Sequence, residues 1–134
     1  MSRYARQICL PGFGDAGQAR LAAARVLVVG AGGLGAGVLP PLVAAGVGQL
    51  RLVDPDVVEE SNLHRQTLFR VSDLGRPKAE VAAEALAGLN SDCTISASVT
   101  RLDPVSARAE LAGVDLVLDA ADIAAMRRDA EAIV

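Results

Sequence analysis

Aromatic side chains are scarce in this sequence, which has no tryptophan and only 2% aromatic residues over its 134 positions. Its core must therefore be built from aliphatic side chains, as is typical of parallel strands covered by helices on both faces. The two cysteines, Cys9 and Cys93, do not form a C-x-x-C pair, so we expect neither a disulfide framework nor a zinc site in this chain. His64 is the single histidine, and no G-x-S-x-G pattern accompanies it, which gives a catalytic triad little support.

The sequence also lacks an excess of basic residues. Its formal net charge is -3 and 51% of its residues are hydrophobic, a composition that favours a globular protein and makes nucleic acid an unlikely partner. The most apolar stretch, residues 34–47, is too short to cross a bilayer, and prolines interrupt it. The first ten residues contain no apolar run of the kind found in signal peptides. These features predict a cytoplasmic protein without a membrane segment.

The hydrophobic patterns predict alternating strands and helices after an N-terminal arm, residues 1–24, which contains a short helix from Asp15 to Ala24. The predicted strands are Arg25–Val29, Gln49–Val53, Cys93–Val99 and Asp115–Leu118. The predicted helices that follow them are Leu34–Ala45, Arg76–Leu89, Ser106–Ala112 and Ile123–Val134. This order predicts an α/β fold with a right-handed, Rossmann-like parallel sheet and flanking helices over residues 25–134. Pro40 and Pro41 are expected to shorten or kink the first of these helices.

A glycine-rich segment joins the first predicted strand to its helix. Residues 30–35 match the pattern G-x-G-x-x-G. Gly30, Gly32 and Gly35 occupy its three glycine positions, and Gly33 occupies a variable position. In this setting, bare backbone amides and the helix dipole attract phosphate, so the segment predicts a nucleotide site. A merely tight turn is the weaker alternative.

Acidic residues follow the second strand. Asp54 stands where an acidic residue accepts hydrogen bonds from a ribose, and Asp56 comes shortly after it. A solvent-exposed acid at a strand end is the alternative for each of them. This position serves NAD and ATP equally, so these residues alone leave the nucleotide open.

The polar segment 54–75 is long for a connection in a compact fold, and long ordered loops usually carry function. It contains Asn62, Arg65 and Gln66, and Lys78, the only lysine of the sequence, follows it on the next helix. Two cations near the phosphate end suit a reaction that expels pyrophosphate better than they suit a dehydrogenase. Asp119 and Asp122 follow the fourth strand, where Asp122 is a candidate for binding Mg²⁺ or, alternatively, for capping the next helix.

Several short motifs together resemble the ThiF/MoeB family, bacterial relatives of ubiquitin-activating enzymes. Besides the glycine loop, they are Arg3-Tyr4-Ala5-Arg6-Gln7, Ala45-Gly46-Val47-Gly48, Asp54-x-Asp56, Ser61-Asn62-Leu63-x-Arg65-Gln66, Gly75-Arg76-Pro77-Lys78 and Asp119-x-x-Asp122. The resemblance runs through most of the chain. It covers the N-terminal nucleotide-binding part of the family, so we expect a sheet truncated after about four strands.

The resemblance implies that Mg-ATP is bound and that the C-terminal carboxylate of a ubiquitin-like or sulfur-carrier protein is converted to an acyl-adenylate. By similarity, Asp54 would bind the ribose, Asp122 would bind Mg²⁺, and the phosphates would contact a further set, Asn62, Arg65 and Lys78. Arg6 is similar to an arginine that family dimers insert into the ATP site of the partner, which implies a homodimer.

Two features depart from the family pattern. Ile123 stands where an asparagine normally follows the second aspartate, and the sequence does not include the acceptor groove, the cysteine loop or the C-x-x-C zinc motifs of many members. We therefore expect these residues to bind a nucleotide with weak or absent turnover. Two alternatives stay open: an NAD-binding oxidoreductase domain and a non-catalytic dimerisation or regulatory remnant.

Overall fold

In a computed structural model, which describes residues 2–133 apart from the side chains of residues 123–125, four parallel strands form one sheet in the order β3-β2-β1-β4. The strands are β1 Arg25–Val29, β2 Gln49–Val53, β3 Thr94–Ser98 and β4 Leu116–Asp119. The last residues of β1, β2 and β3 lie side by side, and Val29 also pairs with Asp119 of β4. All four strands therefore end at the same edge of the sheet.

Helices cover both faces of this sheet. They are α1 Ala5–Ile8, α2 Gly14–Ala23, α3 Gly33–Ala45, α4 Lys78–Ala87, α5 Pro104–Leu111 and α6 Ile123–Ile133. Side chains of α3 and α4 pack with Val26 and Val28 on one face, whereas α5 and α6 pack with Leu27 and Val29 on the other. Alternate residues of β1 thus enter two separate cores, as expected for a strand buried on both faces.

The predicted α/β architecture is confirmed, with changes of one or two residues at most element ends. Helix α5 begins two residues earlier than predicted, at Pro104, because the Asp103 carboxylate accepts hydrogen bonds from the amides of Val105 and Ser106. Similarly, α4 begins at Lys78, since Pro77 precedes the helix with an extended ψ of 128°. The short helix α1 lies within the N-terminal arm, where the sequence predicted none.

The expectation that prolines shorten α3 is wrong, because the helix continues through Pro40 and Pro41 to Ala45. Leu39 and Val43 on the same helix are completely buried against the sheet. Tertiary packing of such a face supplies most of the stability of a helix in a protein and can outweigh the two backbone hydrogen bonds that the prolines remove.

The long segment between β2 and α4 is ordered by its own contacts. It contains two short 3-10 turns, Glu60–Asn62 and Val71–Asp73, and an isolated antiparallel bridge joins Val57 to Pro77. Val58 and Phe69 enter the core with 2% and 5% of their surface exposed. Within the described part of the chain, no helix is both long enough and apolar enough to cross a membrane.

Candidate functional site: a cleft at the carboxyl ends of the strands

A cleft of about 1000 Å³ opens at the sheet edge where the four strands end. The chain leaves β1 towards β2 on one side and later returns to β4 on the other, and open α/β sheets bind ligands at such a switch point. The cleft is lined by most residues that the sequence predicted for the site: Gly30, Gly32, Gly33, Asp54, Asp56, Asn62, Arg65, Gln66, Lys78 and Asp122. Tertiary structure therefore brings these separate segments together.

Gly30 is required by the geometry of the loop that starts at the end of β1. Its φ is +103°, and a Cβ atom there would lie 2.9 Å from the backbone of Ala120 and Ala121. The Gly30 amide donates to the Val53 carbonyl oxygen over 2.8 Å, which holds the turn against the end of β2. Only a residue without a side chain fits between these strand ends.

Gly35 does not line the cleft. A Cβ atom at this position would lie 2.5 Å from the Gly30 carbonyl oxygen, so the absence of a side chain allows α3 to approach the end of β1. The third glycine of the motif thus acts through packing between helix and strand, and it brings the N-terminus of α3 to the cleft.

Asp54 connects the end of β2 to the glycine loop. One carboxylate oxygen accepts a hydrogen bond of 2.8 Å from the Ala31 amide, and the other accepts one of 2.8 Å from the Asp56 amide. Burial raises the pKa of the Asp54 carboxyl, although the two amide hydrogen bonds and Lys78 oppose this increase. Each carboxylate oxygen retains a second lone pair that can accept a hydrogen bond from a ligand hydroxyl.

Arg65 and Gln66 lie over the glycine loop. The position of a Cβ atom at Gly33 is 3.7 Å from Arg65 Cδ, and that at Gly32 is 3.4 Å from Gln66 Nε2. Gln66 is 4% exposed, and its Oε1 atom has no hydrogen-bond partner among the described residues. A buried polar atom without a partner destabilises the folded protein. This atom therefore marks a place where a bound ligand or a water molecule would donate a hydrogen bond.

Asn62 stabilises the turn that carries Arg65. Its Oδ1 atom accepts a hydrogen bond of 3.2 Å from the Glu59 amide, and the Asn62 carbonyl oxygen accepts bonds from the amides of Arg65 and Gln66. Asn62 thus lines the cleft and also orders the segment that covers the glycine loop.

Lys78 is the first residue of α4, and only 7% of its surface is exposed. Its amide donates to the Asp56 carbonyl oxygen over 2.9 Å, which fixes the start of the helix beside the cleft. Within the described part of the chain, no carboxylate lies within ion-pair distance of its ammonium group. A lysine in this nearly buried setting, without a carboxylate in ion-pair contact, favours an anionic ligand in the cleft.

A second wall of the cleft consists of residues that the sequence analysis did not select: Thr100, Arg101, Leu102, Arg128 and Asp129. The first three follow the carboxyl end of β3, so the rule that located Asp54 could have found them. Asp129 has no such signal, because it lies within α6 and its 7% exposure depends on packing. Burial and the neighbouring Asp119 raise the Asp129 pKa to about 6, against the opposing effect of Arg128 and Arg101.

Asp122 lies at the cleft beside the start of α6, where its carbonyl oxygen accepts a hydrogen bond of 2.7 Å from the Met126 amide. The side chain of Ile123, which replaces the expected asparagine, lies outside the described residues. Among those that are described, no three His, Cys, Asp or Glu side chains form a group that could hold a metal ion. A single carboxylate is nevertheless suited to Mg²⁺ when phosphates and water complete the coordination.

Arg6 does not line the cleft of its own chain. It belongs to α1, where the adjacent Gln7 donates a hydrogen bond of 2.7 Å to the Ala45 carbonyl oxygen at the end of α3. The cleft lies at the other end of that 13-residue helix, which spans roughly 20 Å at the usual rise per residue. The structure thus places α1 far from the glycine loop.

A comparison with protein families matches residues 4–134 to the description "ThiF family". The sulfur carrier protein adenylyltransferase of Thermus thermophilus is 51% identical over 122 residues, which cover 91% of this chain and 45% of that protein. The molybdopterin-synthase adenylyltransferase of Salmonella typhimurium is 48% identical over 132 residues, covering 98% of this chain and 53% of that protein. The chain thus spans about half the length of these relatives.

A solved structure of the E. coli tRNA N6-threonylcarbamoyladenosine dehydratase, TcdA, in complex with ATP has the same fold. Its TM-score is 0.85 at 29% sequence identity, and the match covers 98% of this chain and 52% of that one.

Proposed function

Because the chain belongs to the ThiF family, we propose that it is the nucleotide-binding part of an adenylyltransferase and that its cleft binds Mg-ATP. The proposed reaction activates the C-terminal carboxylate of a ubiquitin-like or sulfur-carrier protein. Two adenylyltransferases named above and the ATP complex of TcdA support this proposal over an oxidoreductase.

The observation that carries the proposal is the position of Lys78. Lys78 is 7% exposed and lines the cleft beside a loop of bare amides, with Arg65 lying over the same loop. This arrangement supplies several positive or partly positive groups to one small volume and is suited to a polyphosphate. The pyrophosphate of a dinucleotide such as NAD carries fewer negative charges and would leave part of this set unused.

We assign the parts of ATP to the cleft from these groups. The phosphates would contact the amides around Gly32 and Gly33 together with Arg65 and Lys78, while the ribose hydroxyls would donate to Asp54. Asn62 and Gln66 would complete the phosphate end through their side-chain N–H groups, whereas Gln66 Oε1, which has no partner among the described residues, would accept a hydrogen bond from water or a ligand hydroxyl. Gly30 and Gly35 shape the loop, and Asp56 positions Asp54 and Lys78 through its backbone.

In the proposed reaction, a carboxylate oxygen of the acceptor attacks the α-phosphorus of ATP. A new bond between oxygen and phosphorus forms, the bond from the α-phosphorus to the bridging oxygen breaks, and that oxygen leaves with its electron pair as part of pyrophosphate. Arg65 and Lys78 would stabilise the negative charge that moves towards the leaving group. The product is an acyl-adenylate, in which AMP has become a good leaving group.

Asp122 would hold Mg²⁺ beside the phosphates, since carboxylate oxygens are ligands that this ion prefers. When bound, it would neutralise part of the phosphate charge. The remaining charge compensation belongs to the side chains of Arg65 and Lys78.

We also propose that the active form is a homodimer in which Arg6 serves the cleft of the partner. The position of α1 at the far end of α3 supports this view, because an arginine side chain is much shorter than the helix that separates it from its own cleft. Arg6 would then add a third cation to the phosphate site.

Calorimetric titration of the purified chain with Mg-ATP and, separately, with NAD tests the proposed ligand. We expect Mg-ATP to bind in preference to NAD and Lys78→Ala to lower its affinity about tenfold or more, since a charge-assisted contact to phosphate is lost. Arg20→Ala, which removes an exposed cation on α2, is the matched control and should leave the affinity unchanged. Preferential NAD binding that is insensitive to Lys78 would replace this proposal with the oxidoreductase alternative, and binding of neither nucleotide would favour a non-catalytic remnant.

A further inference from the structure

The N-terminal arm is attached to the body of the protein by side chains on both sides of Arg6. Tyr4 Oη donates a hydrogen bond of 2.8 Å to Asp92 Oδ2 and accepts one of 2.7 Å from Asn90 Nδ2. Arg3 Nη1 donates to the Leu89 carbonyl oxygen over 3.2 Å. The arm is therefore held against the loop that follows α4.

The same arm caps the end of α3. Gln7 Nε2 and Gln18 Nε2 donate to the Ala45 carbonyl oxygen over 2.7 and 3.1 Å, and the two glutamine side chains also bond to each other. The last carbonyl groups of a helix have no partner within the helix, so these bonds satisfy one that would otherwise be left open. The helix that presents the glycine loop at one end is thus joined to the arm at the other.

Asn90 makes this attachment specific. It is 2% exposed and donates both to Tyr4 Oη and, over 2.9 Å, to the Val43 carbonyl oxygen of α3. A Cβ atom at Gly46 would lie 2.8 Å from Tyr4 Cε1, so the tyrosine ring packs directly on the end of α3. A buried polar side chain with two partners requires one position of Tyr4 relative to the helix, because any other would leave a donor unsatisfied.

Arg6 differs from the anchored residues on either side of it. It is exposed, and no hydrogen bond or ion pair holds its guanidinium group within the described part of the chain. Three neighbours in the motif, Arg3, Tyr4 and Gln7, all bond to the body. Within residues 3–7, Arg6 is therefore the one cation without a partner among the described residues, on a backbone that its neighbours hold in place.

We infer that Tyr4, together with its partner Asn90, is a positioning residue for Arg6 and orients this cation towards the phosphates bound by a second copy of the chain. This inference rests on the proposed function, since it requires a phosphate ligand in the cleft of the partner. Holding the arginine before the nucleotide binds reduces the conformational entropy that binding must overcome. A free arm carrying the same arginine would bind the same phosphate less tightly.

A double-mutant cycle measured by calorimetric titration with Mg-ATP tests the inference. We expect Arg6→Ala to lower the affinity about tenfold or more and Tyr4→Phe to lower it about three- to tenfold, because an ordered charge-assisted contact is lost or loosened. In the Arg6→Ala background, Tyr4→Phe should have no further effect on affinity, since the tyrosine acts through the arginine. A purely structural tyrosine would lower the affinity equally in both backgrounds.

The control variant is Asp115→Ala, which removes a hydrogen bond of 2.9 Å to the Arg25 amide at the opposite edge of the sheet from the cleft. It should lower stability without changing ATP affinity. Tyr4→Phe should also accelerate tryptic cleavage after Arg6, a measurement of arm anchoring that requires no nucleotide.

The possible failures can be distinguished. If the unmodified chain binds Mg-ATP but Tyr4→Phe has equal effects in both backgrounds, or no effect, the positioning inference is wrong and the proposed ATP site stands. If Arg6→Ala leaves ATP affinity unchanged, the inference is also wrong. If the unmodified chain binds no ATP, the proposed function fails and the inference fails with it.

Discussion

Asp129 is a buried carboxyl group in the second wall of the cleft, and its pKa is raised from 3.8 to about 6 by burial and by Asp119. A raised carboxyl pKa means that the folded state binds the proton more tightly than the unfolded state does. Its contribution to stability is therefore complete below about pH 4 and is lost as the pH rises through about 6.

We expect Asp129→Asn to remove this part of the pH dependence of the free energy of unfolding, as measured by urea unfolding between pH 4 and about 7.5. Asp103 provides a control of opposite sign, because hydrogen bonds from Ser106 and Val105 lower the pKa of its carboxyl group. Asp103→Asn should remove a contribution to stability that increases with pH. Identical pH profiles for the original chain and Asp129→Asn would contradict the assignment.

Some site residues could be predicted from their local sequence, and others could not. Asp54 follows a strand, Lys78 begins a helix and Arg65 lies in the long polar segment between them, so the setting of these charged side chains could be read from the sequence. The interactions of Gln66 could not, since its buried oxygen results from the segment 54–75 folding back over Gly32. Asp129 was missed for a similar reason, because its burial depends on how α6 packs near Asp119.

At the scale of the elements, α3 is central to the site, with the glycine loop at its N-terminus and the arm at its C-terminus. Its close approach to β1 depends on Gly35, where a Cβ atom would lie 2.5 Å from the Gly30 carbonyl oxygen. Gly37, two positions further along, has no atom within 4 Å of the corresponding Cβ position apart from the neighbouring backbone of its own helix. The two glycines therefore have different roles within one helix.

Alanine substitutions distinguish these roles. Gly35→Ala should destabilise the protein by about 1–3 kcal/mol, because overpacking must displace the helix from the strand end. Gly37→Ala should stabilise it by about 0.5–1 kcal/mol, since alanine loses less backbone entropy in a helix. Urea unfolding of both variants provides the measurement, and equal effects would show that α3 does not depend on close packing at Gly35.

The prolines of α3 show the limit of local rules at this scale. Pro40 and Pro41 locally disfavour a continuous helix, yet the buried side chains of Leu39 and Val43 hold the segment against the sheet. The sequence contained both the prolines, which disfavour a helix, and the apolar side chains, which favour packing on the sheet. Only the packed structure decides between them, because the energy of burial depends on what lies opposite each side chain.

At the scale of the whole molecule, the proposed homodimer predicts complementation between two defective chains. The Arg6→Ala chain retains an intact cleft, and the Lys78→Ala chain retains an intact arm. In a mixed dimer, the first chain would receive Arg6 from the second, which restores one complete site. Mixing the two variants should therefore recover part of the high-affinity ATP binding that neither has alone, as measured by calorimetric titration.

Each variant alone, at the same total concentration, is the control and should show no recovery of high-affinity ATP binding. Sedimentation velocity run at the same concentrations would establish whether dimers are present. The absence of recovery in a solution that contains mixed dimers would exclude the exchange of arms between copies.

The sequence by itself determined the alternating strand and helix order, the strand-to-helix setting of the glycine loop, and the acidic and basic residues near the strand ends. These features follow from short-range periodicity and turn chemistry, which a linear pattern records. Tertiary structure alone decided that β4 lies beside β1, that Ala120 leaves room only for glycine at position 30, and that Tyr4 docks on the far end of α3. These outcomes depend on which surfaces meet in three dimensions, because burial and hydrogen-bond satisfaction are properties of contacts between segments that are distant in the chain.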